Sequence, residues 1–392
     1  MNKLELLAPV GNFQMLSAAI NAGADAVYFG LNEFSMRTGS KNFTIKDLPK
    51  VKKICGKIKR YLTLNTIIYD DEIKKLETTI KKVKKYIDAI ICWDLSVINL
   101  CKKHKIEFHI STQASVSNLE AAKFYKKLGA KRIVLARELN LKQVKKISKE
   151  IYVEAFAHGA MCVSVSGRCF MSQFLFNCSA NRGKCIHPCR RSYIIKDKQE
   201  GYELEVENNK VMSAKDMCTL PFIDKMKKAG IKSFKLEGRN RDPRYVETVV
   251  RIYRKALDKK LTKKEILQSL EELKKVYNRG FSSGFYLGLP SAEDFAKVEH
   301  SDATEKKHFV GKITHYYGNI DVAVLKLVSP LKVGDEICII GKTTGIESSK
   351  IERMEIKKKK VLKAKKGQDI AINIPKKVRK NDEVYLIKKI KK

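Results

Sequence analysis

The residues best able to do chemistry crowd into one stretch. From Glu154 to Arg191 the chain reads EAFAHGAMCVSVSGRCFMSQFLFNCSANRGKCIHPCRR, holding five of the ten cysteines and two of the seven histidines. Clustered thiols can be a metal or cluster cage, a nucleophile with spares, a disulfide framework, or only small buried residues. Cys162 and Cys169 straddle SVSG, Cys185 and Cys189 straddle Ile186, His187 and Pro188, and Cys218 follows in SAKDMC. This spacing lacks the paired CxxC knuckles of a zinc site. An iron–sulfur cluster tolerates it, because loops from several places can converge on the irons. Gly159, Gly167 and Gly183 let backbone approach the sulfurs, and nearby arginines offset thiolate charge. Cluster, zinc, catalytic thiol and no metal all stay open on spacing alone. The candidate ligands are Cys162, Cys169, Cys185, Cys189 and Cys218, with Cys178 a weaker one. Cys55, Cys92, Cys101 and Cys338 stand singly in helix or strand patterns and read as buried apolar residues. A thiol-protease triad can be drawn from Cys162, His158 and Glu154, but it crowds one strand end and leaves four cysteines unused.

Those groups need a frame, and the flanking sequence supplies a regular one. Short β-rich runs (ELLAPV, AVYFG, YLTLNT, AIICW, EFHIST, RIVLA, YVEAFA and SFKLEG) alternate with amphipathic helical runs such as DEIKKLETTIKKVKKY and PRYVETVVRIYRKALDKK. Eight strand-plus-helix units in series predict an α/β chain whose residues 1–300 form a closed (β/α)8 TIM-like barrel. Active sites of such barrels lie where the strands' C-terminal ends meet the following loops. The residues there are unusually polar: Asn65, Asp94, Ser111, Gln113, Arg137, His158, Glu237 and Arg239. The cysteine segment follows strand seven directly, as an insertion over about 159–215. His158 and Glu154 are placed to move protons. Lys235 and Glu237 alternate along strand eight and so share a face, pointing into the barrel mouth or forming a buried pair. Over 301–392 short alternating strands with Gly, Asn and Asp turns predict a small β-barrel. VGDEICIIG and GQDIAINI there resemble the second domain of translation elongation factors. IKKKKVLKAKKG reads as a solvated hairpin.

Formal net charge is +37, which suits a polyanion, although much of the excess is lysine on helix faces that water would also accept. No charged segment followed by a long apolar one opens the chain, and no apolar run approaches the ~18 residues of a membrane span. A cytoplasmic protein with reduced thiols and no membrane partner is expected.

At HGAMCVSVSGRC, NRGKCIHPCRRSY, SAKDMC and SFKLEGRNRDPRYV the chain resembles the collagenase-like peptidases of unknown catalytic type. LAPVGN, STQASVSN and LAREL extend the resemblance over essentially the whole chain. Members of that family include oxygen-independent hydroxylases of tRNA, ribosomal RNA or ubiquinone. They are iron–sulfur proteins, and the RNA-modifying ones depend on prephenate. The length and the appended β-domain look most like the subgroup needed for 5-hydroxyuridine at the tRNA wobble position. The resemblance implies a cluster, of 4Fe-4S type, on Cys162, Cys169, Cys185 and Cys218, with Cys189 as the alternative fourth ligand. It also implies prephenate, whose two carboxylates suit arginine forks: Arg137, Arg168, Arg190 and Arg239, with Asn65 and Gln113 beside them. The same arginines can instead brace the rim by pairing with Glu138, Glu154 and Glu237. His158, Glu154, Lys235 and Glu237 are then the proton-handling candidates. tRNA is the expected partner, and a paralogue or second subunit is kept beside it. The rival expectations are a peptidase, a ribosomal RNA or quinone hydroxylase, and a non-catalytic tRNA-binding factor.

Overall fold

A computed structural model describes residues 4–38, 42–165, 168–191, 195–196, 198–201, 203–204, 213–298 and 300–390. Its first part runs β1 (Glu5–Pro9), α1 (Phe13–Asn21), β2 (Ala26–Gly30), α2 (Leu48–Cys55), β3 (Lys59–Thr63), α3 (Ile73–Val83), β4 (Ala89–Cys92) and α4 (Leu95–Lys103). β5 (Phe108–Ile110), α5 (Leu119–Leu128), β6 (Arg132–Val134), α6 (Leu141–Ile147) and β7 (Tyr152–Gly159) continue the alternation. The insertion carries the short helix α7 (Met171–Phe176); then come α8 (Ile223–Lys228), β8 (Ser233–Leu236), α9 (Pro243–Asp258) and α10 (Lys263–Lys275).

Neighbouring strands pair in parallel from β1 to β7; β8 pairs in parallel with both β7 and β1, which closes an eight-stranded barrel. The predicted barrel is therefore present, and β2 spans the predicted residues without shift. Helix starts are set by side-chain caps: Asn12, Asp94, Asn118, Asn140 and Asp242 each accept a backbone N–H from the first turn. Pro243 occupies the first turn of α9, where its missing N–H costs nothing. Apolar stripes on the helices cover the barrel wall in one continuous core, with Phe29, Leu62, Phe234 and Tyr253 fully buried. Each such side chain contributes about 1.5–3 kcal/mol. A smaller cluster of Leu7, Tyr28, Tyr61, Ala89 and Ile91 fills the barrel interior.

The lower interior is polar and charge-balanced. Arg132 donates to Glu5 (2.5 Å) and Glu154 (3.0 Å), Lys235 Nζ lies 2.6 Å from Glu154, and Ser233 and Tyr61 bond Glu5. Burial alone would raise the Glu154 carboxyl, but Lys235 and Arg132 outweigh it and hold it down at about 2.

Residues beyond 304 form β9 (Glu305–Tyr317), β10 (Val322–Leu327), β11 (Glu336–Gly341), β12 (Gly345–Lys350), β13 (Met354–Ile356), β14 (Lys359–Lys360), β15 (Asp369–Asn373) and β16 (Glu383–Lys389). They make one antiparallel sheet in the order β12-β11-β16-β9-β10-β15-β13-β14, around a separate core that includes Leu325, Ile339 and Val384. This unit docks on the outside of the barrel: Ser17 and Asn21 of α1 bond the carbonyls of Lys342 and Thr344, and Lys307 pairs with Asp242 at 2.9 Å.

Candidate active site

The strands' C-terminal ends and the insertion enclose a cavity of about 410 Å³ at the barrel mouth. β2, β3, β5, β6 and β8, with the loops that follow them, place Tyr28, Arg37, Thr63, Asn65, Ser111, Gln113, Arg137, Lys235, Glu237 and Arg239 on its wall. The insertion supplies the roof: Cys162, Cys169, Cys185, His187, Cys189, Arg190 and Arg191. Two glycines allow that closure. Gly159 sits at φ +109°, and an added Cβ would lie 2.6 Å from the Glu237 carbonyl. Gly183 sits at φ +86°, with the Ser35 carbonyl where a Cβ would stand. Gly167 lies outside the described residues, as does the end of the insertion over 205–212.

Four thiols share the roof. Cys162, Cys169 and Cys185 act electrostatically on Cys189, whose thiol is raised mainly by burial and then by those three, with Arg190 opposing. The Met171 N–H points at the Cys169 sulfur at 3.4 Å. Cys218 does not join them. It is buried in a short strand, Asp216–Cys218, that pairs antiparallel with the end of β7, and its sulfur faces the Tyr253 hydroxyl at 3.7 Å. Burial pushes that thiol up to about 11. Of the two positions left open for the fourth ligand, the structure thus brings Cys189 to the cavity and turns Cys218 to the outer wall. Cys178 is half-buried and does not line the cavity. Among the described residues no group of three or more His, Cys, Asp and Glu side chains is arranged to hold a single metal ion. A cluster makes a different demand, because its thiolates bind different irons and stand farther apart than around one ion. The donor set suits it: four thiols, a backbone N–H aimed at one sulfur, and an arginine beside another.

Below the thiols the wall is cationic. Among the described residues, seven arginines and Lys235 line the cavity against one carboxylate, Glu237. Burial would raise Glu237, but Arg37, Arg241, Arg137 and Arg239 together hold it low. Arg239 donates to Ser35 and Thr63, both at 3.0 Å, and burial lowers it to about 10. Arg137 lies over the Phe156 ring, 4.1 Å from its centroid, and bonds the Ala160 carbonyl. Arg190 bonds the carbonyls of Met161 (2.5 Å) and Ala214 (2.7 Å) and so ties the two ends of the insertion together. Among the described residues the buried Nε–H groups of Arg190 and Arg279 have no hydrogen-bond partner. Asn65 donates to Gln113 at 3.1 Å, and these two set the far wall.

Several expected residues stand elsewhere. Glu154 is fully buried in the charge-balanced floor, ion-paired rather than at a strand end. His158 faces outward, ringed by Tyr245, Tyr253 and Phe281 and with no place on the cavity wall. A bulge explains it: Lys235 pairs with Phe156 but Leu236 with His158, so Ala157 is skipped and the alternation reverses. Burial lowers the His158 imidazole to about 3. The three members of the drawn protease triad are therefore not brought together. Arg168 stacks on Trp93 (4.9 Å) and bonds the Gln113 carbonyl from outside the cavity. Lys235 and Glu237 do share the cavity face. Residues not anticipated are Tyr28, Arg37, Arg241, Tyr277 and Arg279; the loop polarity of MRTGSKN was the only signal for Arg37.

A closed parallel barrel roofed by four thiols and walled by arginine defines a cationic, thiol-rich cavity. A model of Peptidase family U32 matches residues 11–296, and the chain belongs to that family. It is 43% identical to a collagenase of Porphyromonas gingivalis over 98% of both chains. It is 36% identical to tRNA hydroxylation protein P1 of Bacillus subtilis, covering 86% of this chain and 84% of that one. To the 23S rRNA 5-hydroxycytidine C2501 synthase of Escherichia coli it is 38% identical, over 66% of this chain and 40% of that one. The family resemblance expected from the cysteine motifs holds. No helix among the described residues is long and apolar enough to cross a membrane.

Proposed function

We propose that the protein is a cytoplasmic RNA-modifying hydroxylase, forming 5-hydroxyuridine at the tRNA wobble position without molecular oxygen and with prephenate as oxygen donor. The observation that carries this reading is the meeting of four thiols and seven arginines on one cavity. Cys162, Cys169, Cys185 and Cys189 would hold an iron–sulfur cluster of 4Fe-4S type, which supplies one-electron chemistry when bound. The remaining roles belong to the chain. Arg137 and Arg239 bind and orient carboxylates, because planar forks match two oxygens, and the Nε–H groups of Arg190 and Arg279, unpartnered among the described residues, add single donors. Glu237, 3.7 Å from Arg37, offsets part of the charge of the surrounding arginines and leaves the rest for a dianion. Lys235, 4.4 Å over the Tyr28 ring at the cavity base, offers a proton or a hydrogen bond to the reacting group. A pyrimidine must leave its stack to reach this recessed mouth, so the target lies in an unpaired loop. The named activities of the Bacillus subtilis and Escherichia coli relatives support an RNA substrate.

Nucleoside mass spectrometry of total tRNA from a deletion strain tests the proposal. The hydroxylated wobble uridine and its derivatives should vanish and return with the wild-type gene, but not with Arg239→Ala. An unchanged tRNA profile beside a missing hydroxylated nucleoside in ribosomal RNA would move the substrate; no change in either would end the reading. The Porphyromonas gingivalis relative's name favours a second reading, a peptidase. Gelatin cleavage that survives loss of all four roof cysteines would establish it.

A further inference from the structure

The cysteine insertion presents a second surface, outside the cavity. Helix α7 buries Ser172 and turns Phe174 out to 81% exposure; Phe170, just before it, is 63% exposed. Their rings stack, with centroids 5.8 Å apart and planes 27° from parallel. Phe176 and Ile186 are exposed beside them, and the Arg191 guanidinium lies 4.4 Å from the Phe176 ring centroid. Exposed apolar groups gathered in one place mark a contact surface. Residues 159–191 contain Arg168, Arg182, Lys184, Arg190 and Arg191 and no Asp or Glu, and of these cations Arg182 is ion-paired with Glu72.

We propose that this face is a stacking platform for the unpaired nucleotides that flank the one entering the mouth, its partner being a single-stranded loop of RNA. This rests on the RNA reading above and adds where the strand runs. Phosphates match the net positive charge that this segment carries. Bases match parallel rings and guanidinium planes, since every base has a π-face whatever its identity. A lipid surface would accept the same charge but would take any apolar side chain equally well.

The difference between a ring and mere apolar area gives the test. Fluorescence anisotropy of the full chain would compare an RNA hairpin with an unpaired, uridine-containing loop against the same strand annealed to its complement. Phe170→Leu with Phe174→Leu keeps the apolar area and removes the rings; the paired tyrosine substitutions keep the rings and control for folding. Loop binding should fall about fivefold to a hundredfold per lost stack in the leucine variant and stay near wild type in the tyrosine variant, with duplex binding unchanged. A leucine variant that binds the loop as tightly as wild type overturns the platform. So does a leucine variant that keeps full binding to anionic phosphatidylserine vesicles which displace the RNA, since the face would then be a membrane contact. A wild-type chain that binds neither RNA defeats the RNA reading itself, so the two failures are told apart.

Discussion

At the floor of the barrel Glu5 and Glu154 meet Arg132 and Lys235, two carboxylates to two cations, with hydroxyls filling the remaining bonds. At the mouth, seven arginines and the same Lys235 face Glu237. Both levels are polar and buried, yet they do different work. A balanced, fully bonded set of charges closes on itself and holds strands in register; an excess of one sign is stable only because something else supplies the counter-charge. Lys235 lies where the two levels meet, bonded to Glu154 below and lining the cavity above.

Removing one charge from each level sharpens that contrast most. Glu154→Ala strands Lys235 in the interior and leaves Arg132 with Glu5 alone, and should cost about 3–5 kcal/mol of stability, read from urea unfolding. Arg239→Ala relieves an excess and should stay within about 1 kcal/mol of wild type. Equal costs would erase the distinction between floor and mouth. The second comparison reverses the order: prephenate binding by calorimetry should weaken about tenfold to a hundredfold in Arg239→Ala, the worth of a lost charge-assisted bond, while iron content is unchanged.

A smaller effect concerns His158, which belongs to neither level. Burial holds its folded-state value at about 3, below the ~6.5 of an unfolded chain. The unfolded chain therefore takes up a proton that the folded one refuses, and the stability His158 confers is full above pH ~6.5 and falls as pH drops from there toward 3. Between pH 7 and 5 the loss should be on the order of 1–2 kcal/mol, and His158→Phe should flatten that part of the profile. A flat wild-type profile would return the imidazole to the solvent. Smallest of all, alanine at Lys358, Lys359 and Lys360 of the β13–β14 hairpin should lower the salt slope of RNA binding by less than one unit per lysine and leave stability unchanged.

How much of this was legible follows from what alternation and period can encode. The eight barrel strands were readable because parallel, doubly buried strands are short runs of β-branched and aromatic residues between amphipathic helices. Lys235 and Glu237 were placed on one face by the same period. His158 was misplaced because the bulge at Ala157 depends on the pairing of β7 with β8, which no local pattern records. Glu154 looked like a proton carrier because its partners, Arg132 and Lys235, come from other strands. Cys218 and Cys189 were equivalent in the sequence; only the course of the Asp216–Cys218 strand separates them. Arg37 and Arg279 reach the cavity from loops with no motif of their own, and Arg241 lies in the SFKLEGRNRDPRYV run without any pattern that aims it inward, so only folding brings them together.

Iron and acid-labile sulfide, measured on anaerobically purified protein, test the central claim most directly. Wild type and Cys218→Ser should each carry about four irons and four sulfides per chain, and Cys189→Ser far fewer. A colourless, iron-free wild type, or full iron in Cys189→Ser with none in Cys218→Ser, would contradict the four-thiol roof.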